Sequence, residues 1–311
     1  MFRTYKPAIL MAQALHDLEC ELVGLRDGAE PAVHQARVAI RRLREAMLLA
    51  RGNFDEDNLG ELEDRLSRAF KVLGRVRDAD IAQALVEHVE TRFPLASATL
   101  GQLRAAVAHR QLARRRKMIK TIEAVDLDAL PRQLGQAYRA PDQWFGRGRA
   151  WRQVVTLHLA HRAEDVRHAM MHASGVYFPK RSHSARVAVK QLRYALELAD
   201  VTGTRHIPRA LRTLRKTQDA LGQAHDREVL LDRLRDLGSD HVRVDKGESH
   251  ALEQFFAGEV HSLYARYLES RDDILKICAA CSDAPRGSAL VVRTAAAAAL
   301  AVPAVMVLRR H

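Results

Sequence analysis

Val33-His34-Gln35-Ala36-Arg37-Val38-Ala39-Ile40-Arg41-Arg42-Leu43-Arg44 recurs 149 residues later as Ser182-His183-Ser184-Ala185-Arg186-Val187-Ala188-Val189-Lys190-Gln191-Leu192-Arg193. Apolar residues three and four apart, at Ala36, Ile40, Leu43 and Met47, mark the first copy as an amphipathic helix. A second element repeats in the same order: Leu73-Gly74 followed by Asp78, then Leu221-Gly222 followed by Asp226, now 148 apart. Two separate segments repeated in order, with a slip of one residue, read as the tandem duplication of a helical unit. Two copies are too few for a solenoid. The expected fold is therefore all-α, with two pseudo-symmetric helical bundles.

The flanking sequence agrees. Helical periodicity continues through Leu62–Leu73 and Leu211–Leu221, and β-branched alternating runs are scarce. Gly28 with Pro31, Gly52 with Asn53, Pro94, Pro131, Pro141, Pro179, Gly203 with Pro208, and Gly238 punctuate the chain into about ten helices. Residues 1–285 are expected to form one duplicated domain. Its repeats span about 5–125 and 149–281, around a linker over 126–148 that holds Pro131, Pro141, Gly146 and Gly148. An Ala-rich tail follows over 286–311.

Composition narrows the partner. Of 311 residues, 50 are Lys or Arg and 38 are Asp or Glu, a net +12, which suits a polyanion. Aromatic residues are only 5%, with Trp144 and Trp151 the two tryptophans, so few rings are available for unstacked bases. The hydrophobic fraction of 47% supports a real core and excludes a disordered basic tail. The charge is not a block: residues up to Gly148 carry 24 cations and 20 anions, and those from Arg149 carry 26 and 18.

At 100° per residue, His34, Arg37, Arg41 and Arg44 fall within an arc of about 80°, away from the apolar stripe. His183, Arg186, Lys190 and Arg193 repeat that arc. A solvated face would intersperse carboxylates as i, i+4 pairs. One such row is easily answered by acids on a neighbouring helix; the same row in both copies favours a bound anion. Weaker basic faces follow at Arg65, Arg68, Lys71 and Arg75, and at Arg209, Arg212 and Lys216. A third segment sets His109, Arg116 and Lys120 on one face. Arg68, Arg75, Arg116, Lys120, Arg212 and Lys216 are the secondary phosphate contacts expected.

Other features are less directive. Cys20, Cys278 and Cys281 are too sparse for a disulfide framework and fit a reducing compartment. Cys278 and Cys281 read as small hydrophobes on a helix rather than a redox pair. His158, His161, His168 and His172 stripe one helix with Asp165 among them. A metal site is one reading, but the stripe spans four turns, and an exposed or anion-facing polar surface is preferred. Met1 to Cys20 is broken by Lys6, His16, Asp17 and Glu19, so no signal-peptide core is expected there. Thr294 to Leu308 is apolar but falls short of the roughly 20 residues of a membrane span, so no membrane partner is expected.

The repeated H-x-x-R-V-x-x-[RK]-x-L-R pattern, with the later L-G-x-x-x-D element, resembles the CHAD family, the conserved histidine α-helical domain. The resemblance runs from about Tyr5 to Cys281 and includes Tyr194-Ala195-Leu196-Glu197 after the second copy. It implies an all-helical, pseudo-two-fold fold with a basic central surface or pore that binds inorganic polyphosphate. The signature positions carried over are His34, Arg37, Arg41, Arg42 and Arg44, then His183, Arg186, Lys190 and Arg193. Gln191 stands where the position matching Arg42 is basic, and His225-Asp226 replaces the Arg77-Asp78 form. Family members often accompany a tunnel-type triphosphatase domain with E-x-E-x-K, a motif absent here, so a binding module alone is expected.

That expectation is non-catalytic polyphosphate binding in the cytoplasm, at polyphosphate granules, with no cofactor. Neutral histidines would donate hydrogen bonds and add charge below about pH 6.5. Nucleic acid shares the electrostatics, but no helix-turn-helix, zinc-finger or aromatic RNA-binding signature is present, which leaves it a weak competitor. Enzymatic cleavage or synthesis would need carboxylate-held Mg²⁺ or a phosphate-cradling glycine loop, and neither accompanies the basic rows.

Overall fold

The computed structural model describes residues 6–92, 97–138, 150–173, 177–239 and 245–282. They form α1 (Lys6–Arg26), α2 (Glu30–Leu49), α3 (Glu56–Glu90), α4 (Ser97–Val125) and α5 (Leu130–Ala137), then α6 (Ala150–His172), α7 (Pro179–Val201), α8 (Pro208–Ser239), α9 (Lys246–Glu269) and α10 (Arg271–Ser282). The fold is all-helical. Among the described residues the only β pairing is an isolated bridge between Phe54 and Tyr138.

The punctuation sets the boundaries. Gly28 has φ +71°, a left-handed turn that suits glycine, and it separates α1 from α2. Pro31 and Pro179 sit in the first turns of α2 and α7, where a missing N–H costs nothing. Asp55 and Asp245 cap α3 and α9, each accepting a backbone N–H from the first turn.

Pairing is sequential. α1 packs on α2 and α3 on α4; then α6 packs on α7 and α8 on α9, while α2–α3 and α7–α8 join the pairs and α10 packs on α6. Three cores result. The first gathers Leu18, Ile40, Leu43, Leu66 and Leu73 from α1 to α3 with residues of α4 and α5. The second gathers Val155, Leu159, Leu192, Leu214 and Tyr267 from α6 to α9, and Leu49 at the end of α2 belongs to it. The third joins the far ends of the two long hairpins, with Val86, Leu103, Leu230, Leu234 and Phe256 buried together.

Part of the expected linker is structured. Leu127–Ala129 is a short 3-10 turn and α5 begins at Leu130 with Pro131 in its first turn. Leu127, Leu130 and Leu134 are buried in the first core. Residues 139–149 of that linker and the tail over 286–311 lie outside the described residues. Among the described residues no helix is long and apolar enough to cross a membrane.

Candidate functional site

The repeated helices, α2 and α7, approach each other along their polar faces. Arg41 stacks its guanidinium over the Tyr194 ring at 3.9 Å and points Nη2 towards Glu197 at 3.7 Å, both on α7. Arg193 and Lys190 also face that ring, at 4.5 and 5.9 Å. Phe70 on α3 plays the same part for Arg37 and Arg44, at 4.6 and 5.9 Å. The two rings are thus platforms for cations, an electrostatic attraction to the π face. Burial works against the Tyr194 phenolate, yet Lys190, Arg41 and Arg193 more than offset it and hold its pKa below the ordinary value.

Gly74 shows how local sequence places a cation. A Cβ at Gly74 would collide with Arg37 Nη1, so the glycine opens the space that the guanidinium occupies. From that position Arg37 Nη1 donates to the Phe70 carbonyl at 3.2 Å. At Gly222, its counterpart in α8, a Cβ would meet nothing within 4 Å. The two copies therefore match in sequence but not in this contact.

The rows are not free of acids. Glu45 lies 3.7 Å from Arg41, and Glu197 accepts from Arg193 at 2.6 Å and from Arg215 at 3.2 Å. Both acids are i+4 partners just beyond the quoted motif. The other members of the rows differ. Among the described residues, Arg37, Arg44, Arg186 and Lys190 have no carboxylate within ion-pair distance. Burial pushes the pKa of Arg37, Arg44 and Lys190 down, and for Lys190 the neighbouring Arg37 and Arg186 push further. Asp78 and Asp226, the acids of the repeated L-G element, come within electrostatic reach of this group and of one another.

The remaining site residues fall elsewhere. Arg42 is exposed and pairs with Asp17 on α1 at 3.2 Å, so it turns away from Tyr194. Gln191, at the matching position, accepts from Arg162 on α6 at 3.2 Å. That position faces the preceding helix of its own half, and the missing cation in the second copy leaves the cluster intact. His34 is exposed, and His183 is exposed overall although its ring is partly desolvated. Arg68, Arg116, Lys120, Arg212 and Lys216 are exposed too, and none shares a hydrogen bond or ion pair with the cluster among the described residues. Arg75 is half-buried, and its carbonyl accepts from Arg114. Arg65 is structural: its guanidinium satisfies the carbonyls of Val125 and Asp126 at the end of α4.

The expectation for His183 shifts towards lower pH. Burial lowers the His183 pKa and Arg186 lowers it further, while His225, whose ring lies 5.2 Å from that of His183, is pushed down to about 4. His225 takes up no proton near pH 6.5. Carboxylates do instead. Burial raises Asp226 to about 6 against the pull of Arg186, and raises Glu45 to about 7 against that of Arg41. Sequence reasoning noted Tyr194 and Glu197 only as signature continuation, without a role, and missed Glu45 and Phe70. It also missed Arg233 of α8, buried beside Arg110 and Arg114 with Nη1 lacking a hydrogen-bond partner. The i+4 spacing could have revealed the two glutamates; Arg233 has no counterpart in the repeat to signal it.

A family model for the CHAD domain matches residues 9–235, and the chain belongs to that family. Two solved structures share its fold. The crystal structure of the CHAD domain from the plant Ricinus communis is 21% identical, with 88% of this chain and 90% of that one covered and a TM-score of 0.56. PptA from Streptomyces chartreusis is 13% identical, with 87% and 96% covered and a TM-score of 0.60. No curated protein matches the chain in sequence.

Proposed function

We propose that this protein binds inorganic polyphosphate without acting on it, through the cations that α2 and α7 bring together. The observation that carries this reading is the set Arg37, Arg44, Arg186 and Lys190, partly buried and without ion-pair partners among the described residues. Such a set is unfavourable on its own and favourable around an anion. Arg gives planar, paired donors to phosphate oxygens and Lys gives a compact charge. The polymer has no bases, and the two rings among these cations are already engaged by guanidinium groups, which leaves them unsuited to stacking. Membership of the CHAD family supports the same ligand. The repeat order of the helices supports descent by duplication, with residues 1–285 as one functional unit. Polyphosphate granules in the cytoplasm are the setting that fits such a ligand.

The test is a titration of the full chain with polyphosphate of several lengths. Replacing Arg37, Arg44, Arg186 and Lys190 together with Ala should weaken binding by at least about a hundredfold, since charge-assisted contacts contribute about 1.5–3 kcal/mol each. Arg42→Ala should change it little. Circular dichroism checks that the helices persist. Undiminished binding by the fourfold variant overturns the site; tighter binding of DNA or RNA than of polyphosphate overturns the ligand; release of orthophosphate overturns the non-catalytic reading.

A further inference from the structure

The histidine stripe of α6 contains a pair whose geometry the polyphosphate reading leaves unused. His168 and His172 are both exposed, one turn apart at the C-terminal end of the helix. Their Nε2 atoms are 3.3 Å apart, with ring centroids at 4.6 Å and planes inclined by 71°. A tetrahedral ion with metal–nitrogen bonds of about 2.0–2.1 Å requires its ligating nitrogens about 3.3 Å apart. The pair already stands at that spacing.

We propose that His168 and His172 bind one borderline divalent transition-metal ion, Cu²⁺, Ni²⁺ or Zn²⁺, through their Nε2 atoms. Without the ion, one neutral ring donates its Nε2–H to the other. On binding, the donor ring's proton shifts to its own Nδ1, both Nε2 lone pairs reach the metal, and no net proton is released. The last turn of α6 also favours a cation, because its carbonyl dipoles point there. The nearest cations on the helix are held elsewhere: Arg167 pairs with Glu164, and Arg162 donates to Asp165 at 2.9 Å. Asp165 lies a turn away from His168 and 3.7 Å from His161, and is occupied by those neighbours. Among the described residues no group of three or more His, Cys, Asp or Glu side chains is placed to hold an ion. The site therefore offers two protein ligands and leaves the other positions to water or to oxygen atoms of a second molecule. Imidazole nitrogen selects this class over Mg²⁺ and Ca²⁺, which take oxygen.

The experiment uses the full chain near neutral pH, titrated calorimetrically with CuCl₂, NiCl₂, ZnCl₂ and MgCl₂. Copper is expected to bind most tightly, nickel and zinc more weakly, and magnesium not at all at this site. His168→Ala and His172→Ala should each weaken copper binding by about tenfold or more, whereas His161→Ala should not. Because the chain has 15 histidines, the site is located independently. In protein carrying ¹⁵N-histidine, sub-stoichiometric Cu²⁺ should broaden the His168 and His172 ring signals first. Both positions are exposed, so the variants keep the fold, which circular dichroism verifies. Unchanged copper affinity in the double variant, first broadening at other histidines, or no binding by the unaltered chain at millimolar ion overturns the proposal. None of these results bears on polyphosphate binding.

Discussion

Gly74 and Gly222 occupy the same place in the repeat, yet adding a methyl group should do different things. Each Gly→Ala change improves helix propensity by up to about 1 kcal/mol. At Gly222 nothing lies within 4 Å, so Gly222→Ala should raise the melting temperature and leave polyphosphate affinity unchanged. At Gly74 the methyl displaces only the flexible end of Arg37. Gly74→Ala should therefore keep or raise the melting temperature while weakening polyphosphate by about tenfold, one charge-assisted contact. Equal affinities for the two variants would remove Arg37 from the site.

Protonation is also settled at this scale. Asp226, raised to about 6, and Glu45, raised to about 7, gain protons as pH falls from 8 to 5.5, and each uptake removes a negative charge from beside the cations. Polyphosphate affinity should rise over that interval, and Asp226→Asn with Glu45→Gln should flatten the profile while His225→Ala should not. Stability follows the same sign. Both acids have folded pKa values above their unfolded ones, so their own contribution to stability falls as pH rises from about 4 to 7, while His225, held down to about 4, contributes in the opposite sense over the same range. Affinity measured across the pH range in all three variants checks this. The sequence points to histidines because their ordinary pKa lies in the window; burial pushes His183 downward and takes His225 out of it, while it raises Asp226 and Glu45 into it.

At the level of elements, the helices are readable because Gly and Pro stand between amphipathic runs. The exception is α5, where Pro131 reads as linker punctuation and is a first-turn proline. The basic rows are readable as rows, but not which members are answered. Glu197 comes from the other half of the chain to Arg41, a contact that spacing within one helix cannot show. Arg42 lies outside the row, one step of 100° round the helix from Arg41, and that step separates Asp17 from Tyr194 as its neighbour.

Across the whole molecule, the third core joins α3–α4 to α8–α9 at their far ends and makes the halves interdependent. Phe256 is fully buried there, and Phe256→Ala should lower the unfolding free energy by about 3–5 kcal/mol. Polyphosphate bound between α2 and α7 should restore about 2.7 kcal/mol of it at a hundred times its dissociation constant. Thermal melts with and without the polymer measure both effects.

Leu49 ends α2 inside the second core while the rest of that helix is packed in the first. With the distal hairpins also joined, and with Arg41 on Tyr194 and Glu197 between them, the halves are tied by both apolar and polar contacts. In the folded chain the cations already stand together. A polyanion docking there should then need no closing movement, so long-range attraction and salt should govern the speed of capture and the contacts alone its residence.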